Sequence, residues 1–176
     1  PSDFGMLSMV SSIAMVAGPL VTLRYAAAIP LPRTQLSARG LIALSFLLAA
    51  GCSLLFGIAL FILFRTAVFS VAELSSPVVV LLVPLSVFLY AVQDIYGSVL
   101  VRERAFSVSA VASILHSLIG ETFKIAFGLF GANGIGLVAG NQVGYVLATT
   151  FVVRQRWTLV VGLFDGLTIR NLRRVI

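Results

Sequence analysis

The sequence is short of almost everything a water-soluble domain needs. Charged residues fill 10% of its 176 positions, against about 25% in ordinary globular chains, and the mean hydropathy is +1.11. That scarcity excludes a solvated globular fold. One cysteine, Cys52, and one histidine, His116, leave no disulfide framework and no metal-ligand cluster, so neither a metal nor a cofactor is expected. Cys52 reads as a small buried hydrophobe near mid-membrane. No segment alternates apolar and polar residues over about ten positions, as the strands of a membrane β-barrel do. No basic face sits on a soluble element, which removes a nucleic-acid role despite the net charge of +6. Nor does a nucleophile or phosphate-loop constellation occur in the short polar connections, so the chain is not expected to be an enzyme. The chain opens at Pro1 in mid-run, without an initiator Met or a signal-peptide pattern, and reads as a fragment.

What is present is hydrophobic length. Residues 4–23, 40–64, 74–93, 105–120 and 125–153 carry no Asp, Glu, Lys or Arg. A spanning helix needs about 20 mainly apolar residues, because each adds about 1.5 Å across a hydrocarbon core of about 30 Å. The fourth run reaches that length only by continuing past Glu121 and Lys124 to about Phe130, where Gly131, Ala132, Asn133 and Gly134 supply a turn. The expected fold is therefore an all-α integral membrane bundle of about five helices, at 4–22, 41–64, 77–100, 107–130 and 134–153. Residues 154–176 are expected to form a cytoplasmic, interfacial amphipathic linker.

The twelve cations are distributed unevenly. Arg24, Arg33 and Arg39 precede the second helix, Arg102 and Arg104 lie between the third and fourth, and Arg154, Arg156, Arg170, Arg173 and Arg174 follow the fifth. Only Arg65 falls on the other side, while Lys124 is intramembrane. By the positive-inside rule the chain starts outside the plasma membrane and ends in the cytoplasm. The stretch RYAAAIPLPR, Arg24 to Arg33, is then a cytoplasmic loop whose arginines meet lipid phosphates. Pro30 and Pro32 should keep it from forming helix and push Ile29 and Leu31 towards extended geometry. Its apolar AAAI suggests a segment tucked against the helix ends.

These residues resemble a known family. The RY followed by small residues and A-I-x-L-P is similar to the loop after the second helix of the Wzx-like polysaccharide and O-antigen flippases, a branch of the multidrug/oligosaccharidyl-lipid/polysaccharide (MOP) exporters. RERAF at Arg102 to Phe106, the helix containing Ser117, and GLFGANGIGLVAGNQVG at Gly128 to Gly144 resemble that family's fourth and fifth helices, cytoplasm-to-outside and return, joined by a very short external loop. The resemblance covers about 150 of the 176 residues. It implies a first-lobe fragment, helices two to six, of a transporter with 12 to 14 helices. The implied substrate is an undecaprenyl-pyrophosphate-linked oligosaccharide crossing the bacterial inner membrane for lipopolysaccharide and polysaccharide biosynthesis. The loop signature carried over comprises Arg24, Tyr25, Ile29, Pro30, Pro32 and Arg33; the family's usual acidic residue after RY is Ala26 here, so no carboxylate role transfers.

The fourth helix carries a polar stripe. At 100° per residue, His116, Ser109, Ser113, Ser117, Gly120, Glu121, Lys124 and Gly128 share an arc of about 140°. Glu121 and Lys124 are spaced to pair, and charges near mid-bilayer require a protein or water partner. They form either a structural pair or part of a cavity in which Lys124 holds an anionic head group and Glu121 or His116 takes up a proton. The remaining cavity candidates are Ser113, Ser117 and Asn141. Asp94 is expected to be solvated near the cytoplasmic interface or paired with Arg102 or Arg104. Gly136, Gly140 and Gly144 recur every four residues, a pattern for close helix packing. Three rivals share the apolar helices: a drug exporter of the same superfamily, a membrane-embedded sugar polymerase, and a passive membrane scaffold.

Overall fold

The computed structural model describes residues 2–65, 77–131 and 133–155. Within them the chain forms α1 (Ser2–Val21), α2 (Tyr25–Ala28), α3 (Gln35–Arg65), α4 (Pro77–Arg102), α5 (Phe106–Leu129) and α6 (Asn133–Gln155). No strand occurs among the described residues. Five of these helices are long and apolar enough to cross a membrane. The expected linker lies outside the described residues apart from Arg154 and Gln155, which continue α6.

Two long-range hydrogen bonds fix which helix ends lie together. The N–H of Gly134 donates to Oδ1 of Asp3 at 2.9 Å, joining the start of α1 to the start of α6. At the opposite end Arg102 donates to the carbonyls of Ile29, Pro32 and Thr34, joining the end of α4 to the loop before α3. Charge follows that division. Arg24, Arg33, Arg39, Arg102, Arg104 and Arg154 belong to the second end, Arg65 lies at the first, and Lys124 lies within α5 on the first end's side.

The middle of the bundle is α4. Val83, Val87, Ala91, Ile95 and Val99 recur every four residues and are all buried, forming one row that α1 and α3 cover. Val10, Ala14 and Val21 of α1 and Leu41, Ile42 and Ala49 of α3 pack against it. Outward faces are apolar instead of charged: Leu54, Leu55, Phe61 and Ile62 of α3 and Ile114, Leu118 and Ile125 of α5 are exposed. Such a surface suits lipid, which solvates Leu as well as a protein core does.

α5 and α6 form an antiparallel hairpin closed by Gly131, whose φ of +71° is easily reached without a Cβ. Its N–H returns to the carbonyl of Gly128 at 3.1 Å, ending α5 as the sequence predicts. The two helices touch through glycine. A Cβ on Gly140 would lie 2.8 Å from the backbone nitrogen of Lys124, and one on Gly144 would lie 2.8 Å from the carbonyl oxygen of His116. This is the close packing the four-residue repeat implies. Gln142 adds a cross-helix clasp, Nε2 donating to the carbonyl of Leu82 at 3.0 Å and to Oγ of Ser86 at 2.8 Å.

Two expectations need correction. First, α3 begins at Gln35, not at residue 41, so Arg39 belongs to the helix. Thr34 starts it, its Oγ1 accepting the N–H of Ser37 at 3.3 Å. The resulting 31 residues reach about 46 Å, longer than a hydrocarbon core of about 30 Å. Second, Cys52 is only partly buried, packed against the edge of the core.

Candidate functional site

RYAAAIPLPR is not an extended loop. Tyr25 to Ala28 form one helical turn and Ile29 stays right-handed, with φ −55° and ψ −37°, although Pro30 follows. The reason is burial: a helical turn puts Ala26 and Ile29, three apart, on one face, and both are wholly buried in the core cluster. Covering the Ile29 side chain, worth about 1.5–3 kcal/mol, outweighs the steric preference of a residue before proline. The tucked segment expected from the sequence is therefore present. Arg102 pins it, Nη1 donating to the carbonyls of Ile29 at 3.1 Å, Pro30 at 3.4 Å and Pro32 at 2.7 Å, and Nη2 to that of Thr34 at 3.4 Å. Arg24 enters the turn with φ +60°, and its backbone N–H donates to the carbonyl of Pro19 at 3.1 Å.

The polar stripe of α5 divides into two parts. Ser117 and Glu121 are exposed on the outer surface of the bundle, and Lys124 pairs with Glu121 at 2.8 Å. In that pair the Lys124 side chain is 15% exposed and that of Glu121 is 66% exposed. The ion pair sits nearer the far end than the middle, since Lys124 is about 7.5 Å of helix rise from the end of α5 at Leu129. His116 turns the other way, and its ring lies over that of Tyr145 with centroids 4.1 Å apart and planes at 30°.

That turn opens a cleft which the sequence reading missed. α4 and α5 touch little, and α6 forms the floor between them. Tyr90, Gln93, Asp94 and Gly97 of α4, His116 of α5 and Tyr145 of α6 enclose about 340 Å³. A narrower extension runs from Gln93 and Gly97 past Ser109, Ser113 and Thr149. Each helix contributes residues at helical-face spacing: 90, 93, 94 and 97 on α4, and 109, 113 and 116 on α5. Asp94 lies about 12 Å of helix rise from Arg102, and His116 about 15 Å from the start of α5, so both walls meet at mid-depth.

Of the two placements expected for Asp94, solvation and pairing, the structure has the exposed one: its side chain opens to the cleft. Arg102 is instead committed to backbone carbonyls. Oε1 of Gln93 and Nε2 of His116 are buried without a hydrogen-bond partner. Tyr145 meets Tyr90 edge-to-face, centroids 6.2 Å apart. Those two rings separate the cleft from a second cavity of about 170 Å³, where Asn141 and Ser86 face α1. Of the six cavity candidates, His116 and Ser113 therefore line the cleft and its extension, Asn141 lies behind it, and Ser117, Glu121 and Lys124 lie outside. The signal for the missed residues was the 90/93/94/97 spacing on a helix otherwise rich in Val and Leu. Among the described residues no group of His, Cys, Asp and Glu is placed to hold a metal.

Compared with protein-family models, curated proteins and solved structures, the chain matches none of them.

Proposed function

We propose that the chain is part of a flippase that carries an undecaprenyl-pyrophosphate-linked oligosaccharide across the bacterial inner membrane for O-antigen or other polysaccharide export. The observation that carries this reading is the meeting of its two signature segments. Arg102, the first residue of RERAF, grips three carbonyls of RYAAAIPLPR across a separation of 73 residues at Ile29. The two stretches that resemble the family thus form one unit at the basic end. The polar cleft adds support, because polar groups kept at mid-depth in a membrane bundle are costly and mark substrate pathways. In this reading the basic end is cytoplasmic, the chain begins outside, and a second lobe completes an alternating-access path. Lys124, away from the basic loops, is the group proposed to meet the pyrophosphate.

The test is made in cells deleted for the gene. Lipid-linked oligosaccharide should accumulate, protected from glycosidase added outside and exposed once the membrane is opened, and the full-length gene should reverse this. Unchanged lipid-linked oligosaccharide with lost resistance to cationic drugs would replace the flippase by an exporter. No change in either would leave a scaffold.

A further inference from the structure

We propose that the cleft between α4 and α5 holds the sugar portion of the lipid-linked substrate as a neutral polyhydroxylated ligand and excludes its pyrophosphate. This rests on the flippase reading above and adds which part of the substrate the site takes.

The lining sets the chemistry. Gln93 offers a buried carbonyl oxygen and His116 a buried Nε2, neither of them partnered, and Asp94 adds a carboxylate open to the cleft. The Gln93 oxygen and the Asp94 carboxylate ask the ligand for hydrogen-bond donors, and Nε2 of His116 accepts or donates according to its tautomer. A buried acceptor left unpaired costs about 1–3 kcal/mol, so a ligand that supplies the donor is favoured by removing that penalty. Hydroxyl groups supply it. Among the described residues no Lys or Arg lines the cleft, so none of them neutralises a phosphate there.

Tyr90 and Tyr145 complete the fit. Sugar rings present C–H faces that pack on aromatic rings, and Tyr145 is held by His116 stacked against it and by the edge-to-face contact with Tyr90. The cleft volume of about 340 Å³ falls within the usual range for small-molecule sites, about 300–1,000 Å³. Its extension past Ser109, Ser113 and Thr149 continues the hydroxyl lining towards the basic end, where the arginines lie.

The experiment uses the full-length protein in nanodiscs, titrated by calorimetry with maltotriose, N,N′,N″-triacetylchitotriose, tetraphenylphosphonium and inorganic pyrophosphate. At least one neutral oligosaccharide should bind. Gln93→Leu should weaken it by about threefold to tenfold, the equivalent of one hydrogen bond. Gly97→Leu should abolish it, and this variant should fold, because a Cβ at Gly97 meets nothing within 4 Å. Sugar binding unchanged in both variants, or phosphonium or pyrophosphate binding in place of sugar, would overturn the assignment. So would failure of both oligosaccharides to bind. A wild-type protein that flips lipid-linked oligosaccharide in proteoliposomes yet binds neither free sugar would sink the cleft assignment and leave the flippase reading standing. Sugar binding in the cleft without flipping would do the reverse.

Discussion

Replacing Gly140 by alanine tests the packing that holds the cleft open. The new Cβ would lie 2.8 Å from the backbone nitrogen of Lys124, 3.0 Å from its Cγ and 3.1 Å from its Cα. Ordinary contact begins at 3.4 Å, and two of these three neighbours are backbone atoms that no rotamer change can move. α5 must therefore shift by several tenths of an ångström, and overpacking of this kind costs about 1–3 kcal/mol. In water the helix propensity of alanine would return about 0.5–1 kcal/mol. In detergent the unfolded state keeps its helices, so that gain largely cancels. Gly51→Ala is the control, since its Cβ meets nothing within 4 Å. An SDS titration of both variants in mild detergent should show Gly140→Ala less stable by about 1–3 kcal/mol and Gly51→Ala near wild type. Equal midpoints would refute the claim that α5 is seated on the glycine face of α6.

Other consequences are open to direct measurement. Arg102→Lys keeps the charge but not the fork that spans four carbonyls, so about 1–3 kcal/mol should be lost; protease added at the basic end should then cleave residues 29–34 faster, and an unchanged rate would count against the clasp. After Cys52→Ala removes the partly exposed native thiol, an impermeant reagent added outside intact cells should label Asn133→Cys and not Thr34→Cys, whereas labelling at position 34 would reverse the orientation. Lys124→Gln should stop flipping while the full-length protein still accumulates, and adding Glu121→Gln should restore nothing; recovery of both level and activity in the double variant would make the pair structural.

Much of the architecture was readable from the residues because long charge-free runs leave few choices. A helix satisfies every backbone group within one apolar segment, which is the solution such runs favour. The end of α5 at Gly131 and the glycine contact of α6 followed from local chemistry. Local rules failed where tertiary burial decided the outcome. Two prolines argued against helix in RYAAAIPLPR, but the core takes Ala26 and Ile29 together, which needs a helical turn. The cleft was missed for a different reason. Periodicity on α5 alone cannot tell which part of a polar arc meets a neighbour, and α6 takes Gly120 and the Lys124 backbone while leaving Ser117 and Glu121 outside. Asp94 was placed by its distance along the helix, without the lateral position that faces it to His116 across the gap.

The central claim is movement of a lipid-linked sugar. Its most direct measurement reconstitutes the full-length protein in proteoliposomes carrying a fluorescent undecaprenyl-pyrophosphate oligosaccharide in both leaflets, quenched from outside by a membrane-impermeant reductant. The account predicts nearly complete quenching with wild-type protein and quenching of only the outer half with Gly97→Leu, whose side chain starts from a Cβ in open space beside the cleft. Retention of the inner half by the wild-type protein, correctly folded and present in every vesicle, would contradict it.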